Sequence, residues 1–218
     1  MFKNNRLKIA VQKSGRLNEK SLEFLSKSGL EWEMVKDRLA QECTNLPIDI
    51  MFVRDDDIPR FVGEGVCHLG IVGQNLLEES LTTKIGSVQI LSPLDFGRCR
   101  LSIAVPQNQN FSSLADLNGL RIASSYPRCL RSFLNKNKIK ASLVELSGTV
   151  EIAPKLGIAD AICDLVSTGS TLRSNGLKEC ATVFQSQAVL IQTTKPLDES
   201  SNAQMNQLLE RMGVLCTL

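Results

Sequence analysis

Hydrophobic and polar positions alternate along this chain in two kinds of pattern. Short apolar runs bounded by turn residues predict strands, and apolar residues three and four positions apart predict helices. The predicted strands cover 7–12, 48–53, 68–72, 87–91, 101–105, 119–123, 142–146, 160–166 and 188–192. The predicted helices cover 18–29, 57–65, 127–137, 149–156 and 199–212. This alternation is typical of an α/β fold with mostly parallel sheets.

Two polar stretches divide the predicted elements into two lobes. They lie at 92–98 and near Ser186, where the chain would cross from one lobe to the other. Lobe I is then 1–98 plus 187–218, and lobe II is 99–186. Because ligands of such folds collect outside the carboxyl ends of strands, we expect the binding site in a cleft between the lobes.

Composition narrows the chemistry that the chain can perform. Lysine plus arginine number 25, aspartate plus glutamate number 23, and aromatic residues make up 5%, which argues against a nucleic-acid partner. The 7 cysteines show no C-x-x-C spacing, so we expect reduced thiols in a cytoplasmic protein. No apolar run is long enough to cross a membrane. The single histidine, His68, lies inside a predicted strand, so the chemistry must rest on other residues.

The segment 161–172 carries the most specific candidate site. A predicted strand delivers Asp164, which can accept hydrogen bonds from a ribose diol. The small residues that follow are Ser167, Thr168, Gly169, Ser170 and Thr171. Their hydroxyl and N–H groups can wrap one phosphate, Gly169 permits a positive φ, and a helix beginning at Leu172 would add its dipole. Glu151 could face the same sugar, or it could simply favour the start of its short helix. The alternative is a Ser/Thr-rich turn that only caps a helix.

Cationic residues follow two predicted strands of lobe I. Lys13 and Arg16 come after the first strand, and Arg54 comes after the second. They could form a clamp for an anion, with planar forks from the arginines, or they could be solvated turns. The acids at 55–57 could hold Mg²⁺, but their favoured role is to cap the next helix and complement its dipole.

Taken together, these segments resemble the ATP phosphoribosyltransferase family, which catalyses the first step of histidine biosynthesis. The motifs occur in the family's order and span nearly the whole chain. They are Val11-Gln12-Lys13-Ser14-Gly15-Arg16-Leu17, Val53-Arg54-Asp55-Asp56-Asp57-Ile58-Pro59, Leu69-Gly70-Ile71-Val72-Gly73, Arg121-Ile122-Ala123 with Tyr126-Pro127, Gly148 to Pro154, and Ala159 to Leu172.

The resemblance implies a two-lobed fold similar to periplasmic binding proteins. It implies transfer of the 5-phosphoribosyl group from phosphoribosyl pyrophosphate to N1 of ATP, with release of pyrophosphate and with Mg²⁺ as cofactor. Residues 167–171 match the loop that holds the 5-phosphate, and Glu151 and Asp164 match positions that face the ribose hydroxyls. Lys13, Arg16 and Arg54 match cationic positions near the nucleotide and the pyrophosphate.

The resemblance also raises a question of regulation. The first two motifs resemble the family's long form, whose additional C-terminal domain binds histidine, and this chain stops about where that domain would begin. The resemblance therefore implies a homo-oligomeric catalytic core, or a chain that works, like the short form, with a separate regulatory subunit. Two other functions remain open: a two-lobed small-molecule binding protein without turnover, and a phosphoribosyltransferase for another base.

Overall fold

The computed structural model describes residues 6–35, 37–80 and 88–214. Contacts between Cα atoms divide the chain into two compact units. Unit 1 is Met1–Gly97 with Gln187–Leu218, and unit 2 is Arg98–Ser186. The described helices include none that is both long enough and apolar enough to cross a membrane.

The regular elements of the described residues alternate along the chain. The strands are β1 Leu7–Gln12, β2 Ala40–Glu42, β3 Ile48–Val53, β4 Leu69–Gly73, β5 Val88–Pro93, β6 Cys99–Pro106, β7 Arg121–Ser124, β8 Ser142–Glu145, β9 Ala161–Val166, β10 Leu177–Ser186 and β11 Ala188–Thr193. The α-helices are α1 Asn18–Lys27, α2 Ile58–Gly63, α3 Gln74–Ser80, α4 Pro127–Lys136, α5 Ser170–Ser174 and α6 Glu199–Arg211. Short 3-10 turns cover Asp55–Asp57, Leu114–Leu117 and Val150–Ile152.

Unit 1 is built on one sheet whose described strands run in the order β2-β3-β1-β4-β11-β5. Strand β1 pairs parallel with β3 and β4, whereas β2, β11 and β5 join antiparallel. Its core combines fully buried strand residues such as Ile9 and Ile50 with Leu25 of α1 and Met205 of α6. The burial of these apolar side chains on one sheet face fixes which side of α1 and α6 faces inward.

Unit 2 has its own sheet, with the described strands in the order β10-β6-β9-β7-β8. Strand β9 lies in the middle, antiparallel to β6 and parallel to β7. Two apolar clusters cover the sheet, one around Leu101 and Leu130 and one around Ile162 and Leu172. A central strand is held by neighbours on both sides, so the residues at its end are positioned by the sheet rather than by a free loop.

The α/β class with two sheets is confirmed, but the prediction of mostly parallel sheets is wrong. Both sheets are mixed: β2 and β11 run against their neighbours in unit 1, and β6 runs against both of its neighbours in unit 2. The sequence pattern also missed β2, β10 and the helix α3. The predicted strand 87–91 is observed from Val88, and its first position, Ser87, lies outside the described residues.

Candidate active site

One cavity of about 220 Å³ in unit 2 is lined by residues from the segment that the sequence singled out. The lining residues are Glu151, Asp164, Leu165, Val166, Ser167, Thr168, Gly169, Ser170, Thr171 and Leu172. Strand β9 brings Asp164 to this cavity near its carboxyl end, and the loop after β9 closes it on one side. All seven predicted sugar- and phosphate-binding residues of unit 2 therefore line the same cavity.

The loop after β9 has the conformation of a small anion cradle. Gly169 adopts φ 75°, in the left-handed region, and Ser170 then enters the right-handed helix α5. A left-handed residue next to a right-handed one turns successive N–H groups toward one point. The hydroxyls of Thr168 and Ser170 lie 3.0 Å apart, and both residues are exposed, as are Ser167 and Thr171.

The helix after this loop differs from the prediction. It begins at Ser170, not at Leu172, and α5 contains only 5 residues. A single helical turn has a small dipole, so the cradle must rely on its own N–H and hydroxyl groups. The reason for the earlier start is local, because Gly169 supplies the left-handed turn that lets the helix begin at once.

The Asp164 carboxyl sits in an environment that opposes its ionisation. Burial raises its pKa to about 6, and the negative charge of Glu151 adds to the rise, while a hydrogen bond from the Leu165 N–H partly offsets it. That N–H donates to Oδ1 of Asp164 over 2.7 Å. At neutral pH the carboxyl is therefore ionised but poorly solvated, so it gains from any hydroxyl that donates to it.

Glu151 reaches the cavity from a different element. It lies on the 3-10 turn Val150–Ile152, which follows Thr149 in a left-handed conformation with φ 54°. A threonine in this region is unusual because its branched Cβ crowds the backbone. Glu151 itself is half-buried, so the second acid of the cavity is partly open to solvent.

The cations of unit 1 follow the carboxyl ends of two neighbouring parallel strands, β1 and β3. Gln12 of β1 is the register partner of Val53 of β3, so Lys13 and Arg54 leave the two parallel strands side by side. The Lys13 N–H donates to the Val53 carbonyl over 2.8 Å. Arg16 is exposed, and its guanidinium donates to the carbonyl of Gly97. In the described part of the chain, the Lys13 ammonium has no carboxylate partner.

Arg54 is already paired within its own turn. Its Nε and Nη2 donate to the two oxygens of Asp56 over 2.9 and 2.8 Å, and its side chain is 78% exposed. The neighbouring Asp55 accepts a hydrogen bond from the Gln12 amide over 3.1 Å. Asp57 occupies the N-cap position of α2, but its side chain makes no capping hydrogen bond. The favoured capping role of these acids is therefore not seen at α2.

The described residues do not present a metal cage. Within 6–35, 37–80 and 88–214, no group of three or more histidines, cysteines, aspartates or glutamates is arranged to hold a metal ion. Of the acids at 55–57, Asp56 is neutralised by Arg54, which lowers its pKa through their hydrogen bonds. These acids do not fit a binding site in which the protein alone coordinates Mg²⁺.

Two arginines that contact the cradle were not predicted from the sequence. Arg173 donates to the Thr168 carbonyl over 3.2 Å, and Arg100 donates to the Ser167 carbonyl over 3.3 Å. Arg173 could have been found from its spacing, one helical turn after Gly169. Arg100 could not, because its partner Glu179 lies 79 residues away on the unpredicted strand β10. The lone His68 has a structural contact, since its Nδ1 accepts the Lys8 N–H over 2.9 Å.

The fold defines a two-sheet α/β protein of the kind seen in solute-binding proteins. An alkanesulfonate-binding protein from Xanthomonas axonopodis pv. citri, solved with MOPS, matches with a TM-score of 0.57 and 14% identity over 98% of this chain and 81% of its own. The substrate-binding protein of an amino acid ABC transporter matches with a TM-score of 0.60 and 10% identity over 95% of this chain and 91% of its own. At these identities the likeness concerns the fold alone, and it agrees with the expected periplasmic-binding-protein-like architecture.

A family match and a further solved structure relate this chain to a class of enzymes. Residues 54–213, more than half of the chain, match the HisG family, ATP phosphoribosyltransferase. The ATP phosphoribosyl transferase (HisG:HisZ) complex from Thermotoga maritima matches with a TM-score of 0.74 and 26% identity, over 95% of this chain and 98% of that chain. This chain belongs to the ATP phosphoribosyltransferase family.

Proposed function

We propose that this chain transfers the 5-phosphoribosyl group of phosphoribosyl pyrophosphate to N1 of ATP and releases pyrophosphate, as the first step of histidine biosynthesis. The observation that carries the proposal is the cavity of unit 2, where Asp164 and the cradle 167–171 meet in a member of the ATP phosphoribosyltransferase family. A cavity of about 220 Å³ suits a pentose phosphate better than a whole nucleotide.

In this proposal the cradle and the acids bind different parts of the sugar phosphate. The exposed hydroxyls and N–H groups of 167–171 take the 5-phosphate, which needs several donors at short range. Asp164 and Glu151 accept hydrogen bonds from the ribose hydroxyls. Asp164 is suited to this role because its desolvated carboxylate, with a pKa near 6, gains acceptor partners that water supplies poorly.

The cations of unit 1 would act on the leaving group. Adenine N1 is already a nucleophile, so the reaction needs no histidine base. The difficulty is the negative charge that develops on pyrophosphate as the ribose approaches an oxocarbenium state, and Lys13, Arg16 and Arg54 would stabilise that charge. Of the three, Lys13 is the most available, because Arg54 is paired with Asp56 and Arg16 with a carbonyl.

Mg²⁺ remains part of the proposal as an ion that accompanies the substrate. The described residues include no group of acids, histidines or cysteines that would hold Mg²⁺ in the absence of substrate. Mg²⁺ usually retains waters and binds substrate phosphates together with one or two carboxylates. We therefore expect Mg²⁺ to bind together with phosphoribosyl pyrophosphate and not to the protein alone.

We also propose a homo-oligomer that works with a separate regulatory subunit. The support is the relative from Thermotoga maritima, which was solved as a HisG:HisZ complex and which this chain matches along 95% of its length. The competing function is a binding protein without turnover, which the fold of the solute-binding neighbours favours.

Turnover separates these functions directly. The purified chain is incubated with ATP, phosphoribosyl pyrophosphate and Mg²⁺, and the ultraviolet absorbance of an N1-substituted adenine nucleotide is followed. We expect absorbance to rise only when all components are present, and to need a far higher concentration of phosphoribosyl pyrophosphate in Asp164→Ala. Binding of phosphoribosyl pyrophosphate without new absorbance would favour the receptor, and turnover with another base in place of ATP would favour a different phosphoribosyltransferase.

A further inference from the structure

Two guanidinium groups that do not line the cavity donate hydrogen bonds to consecutive carbonyls of the cradle. Arg100 Nη1 donates to the Ser167 carbonyl over 3.3 Å, and Arg173 Nη1 donates to the Thr168 carbonyl over 3.2 Å. Neither arginine is among the residues that line the cavity. The two arginines come from different elements, since Arg100 lies on β6 and Arg173 on α5.

Planarity of the peptide bond links these contacts to the phosphate donors. In a trans peptide the C=O of one residue and the N–H of the next point in opposite directions. The Ser167 carbonyl therefore sets the direction of the Thr168 N–H, and the Thr168 carbonyl sets that of the Gly169 N–H. In the described part of the chain, neither N–H donates to another protein group. Both are left available on the side of the loop that faces away from the arginines.

Arg100 is itself fixed by an acid. Its Nε and Nη2 donate to the two oxygens of Glu179, each over 2.6 Å, and the Ser102 hydroxyl donates to Glu179 Oε1 over 2.8 Å. Ser102 is the register partner of Asp164 across β6 and β9. This network therefore lies on the strand next to the one that carries the acid, and Arg100 extends it to the loop that carries the phosphate donors.

The two arginines differ in charge balance. The charge of Arg100 is neutralised by Glu179, whose pKa is lowered chiefly by the hydrogen bond from that arginine. Arg173 has no carboxylate partner within the described residues, and its Nη1 lies 3.2 Å from where a Cβ on Gly169 would be. Arg100 is thus equipped to orient the loop, and Arg173 to orient it and add positive charge near an anion.

We propose that Arg100, braced by Glu179, and Arg173 are positioning residues that aim the N–H groups of Thr168 and Gly169 at the 5-phosphate of the sugar substrate. This inference rests on the proposed function, since it concerns the donors of the same cradle. It predicts that the loop binds phosphate through two N–H groups that are oriented before the ligand arrives, so their loss weakens sugar-phosphate binding and leaves ATP binding intact.

The test measures the two N–H groups themselves. Amide resonances of Thr168 and Gly169 are followed by NMR in the full chain during titration with ribose 5-phosphate and, separately, with inorganic phosphate. Three variants are compared with the wild type: Arg100→Gln with Glu179→Gln, which leaves no unpaired acid; Arg173→Gln, at an exposed position; and Arg121→Gln with Asp160→Asn as the matched control. Arg121 is a fair control because it also pairs with a carboxylate and donates to a carbonyl, that of Gly157, over 2.9 Å.

We expect both resonances to shift on titration in the wild type and in the control. In each cradle variant we expect smaller shifts and ribose 5-phosphate binding that is about fivefold to tenfold weaker, the equivalent of one net hydrogen bond. The KM for phosphoribosyl pyrophosphate should rise by a similar factor while the KM for ATP stays unchanged.

The outcomes separate this inference from the proposed function. If the wild type shifts and both cradle variants bind and shift like it, the positioning role is wrong and the cradle stands. If the Arg100 and Glu179 variant does not fold, Arg173→Gln decides the matter by the same criteria. If the wild-type resonances of Thr168 and Gly169 do not move with either ligand, the cradle itself is wrong, and the inference falls with it.

Discussion

The cationic loops of unit 1 and the acid-and-hydroxyl loop of unit 2 differ in how far they are prepared for a ligand. In unit 2, Asp164 and Gly169 line one cavity, and two carbonyls of the loop accept hydrogen bonds from Arg100 and Arg173. In unit 1, Arg54 is paired with Asp56 and Arg16 donates to the Gly97 carbonyl, so part of each guanidinium already has a protein partner.

The two regions would therefore contribute to catalysis in different ways. Groups that are already oriented contribute to binding in the ground state as well as in the transition state, because no rearrangement opposes them. Exposed cations contribute most where the ligand's charge is largest, which for phosphoribosyl transfer is the departing pyrophosphate. We therefore expect unit 2 substitutions to raise KM and unit 1 substitutions to lower kcat.

The largest effect should come from Asp164→Ala. Loss of a carboxylate that accepts from the sugar hydroxyls should raise the KM for phosphoribosyl pyrophosphate about 100-fold, the equivalent of one or two hydrogen bonds to a charged group. Steady-state kinetics with each substrate varied in turn measures this change. Asp160→Ala is the matched control, because Asp160 precedes the same strand and pairs with Arg121. Equal KM values for Asp164→Ala and the wild type would remove the acid from the site.

Asp164→Asn should stabilise the fold while it impairs binding. The pKa of Asp164 is near 6 in the folded protein against an ordinary value of 3.8, so the folded state binds this proton more tightly. Its contribution to stability is present below the ordinary value and is lost as pH rises through about 6. At neutral pH the asparagine should therefore raise the free energy of unfolding by about 2 kcal/mol. Urea unfolding at neutral pH and near pH 4 measures this, and an equal gain at both would contradict it.

Gly169→Ala should weaken sugar-phosphate binding by about tenfold. An alanine at φ 75° is strained by roughly 1 to 2 kcal/mol, and its Cβ would lie 3.2 Å from Arg173 Nη1. Gly176→Ala is the control, since it also has a positive φ but no atom within 4 Å of the added Cβ. The KM for phosphoribosyl pyrophosphate distinguishes them, and matching values would show that the cradle's conformation is unimportant.

Arg16→Ala should lower kcat about fivefold with little change in either KM. The reason is that this guanidinium is exposed and one of its N–H groups already donates to the Gly97 carbonyl, so we expect a net contribution of about one hydrogen bond. Arg60→Ala removes an exposed arginine of the same unit, paired with Glu64, and controls for the loss of charge. A rise in KM without a fall in kcat would contradict the contrast between the units.

The smallest effect should come from Arg54→Ala, with kcat lowered about twofold to threefold. Its side chain is 78% exposed and already neutralised by Asp56, and such pairs contribute little. Asp56→Asn is the complementary variant, because it frees the guanidinium of Arg54 and should leave kcat unchanged or raise it. A loss of activity in Asp56→Asn as large as that in Arg54→Ala would instead indicate that the pair works as a unit.

Local features of the fold were predictable because they depend on neighbouring residues. Gly29 was predicted to end the first helix, and it follows the last turn of α1 with φ 83°. Strand β10 was missed because register shifts at Glu179/Ala181 and Thr182/Phe184 disturb the alternation that marks a strand. The mixed direction of the sheets depends on how β6 and β11 are placed between their neighbours, and short-range patterns do not record it.

The same distinction applies to the candidate site. Asp164 and the loop 167–171 are contiguous in sequence, so their presence around one cavity could be predicted from a strand that ends in a turn. The contact of Arg100 with Glu179 could not, since it depends on the register of two antiparallel strands. The pairing of Arg54 with Asp56 was also missed, although the two residues are only two positions apart.

The most direct test of the central claim is a crystal structure of the chain with phosphoribosyl pyrophosphate and Mg²⁺. We expect density for the 5-phosphate within hydrogen-bonding distance of the N–H groups of Thr168 and Gly169, with the ribose hydroxyls facing Asp164. Density for the 5-phosphate at Lys13 and Arg16, with an empty cavity beside Asp164, would contradict it.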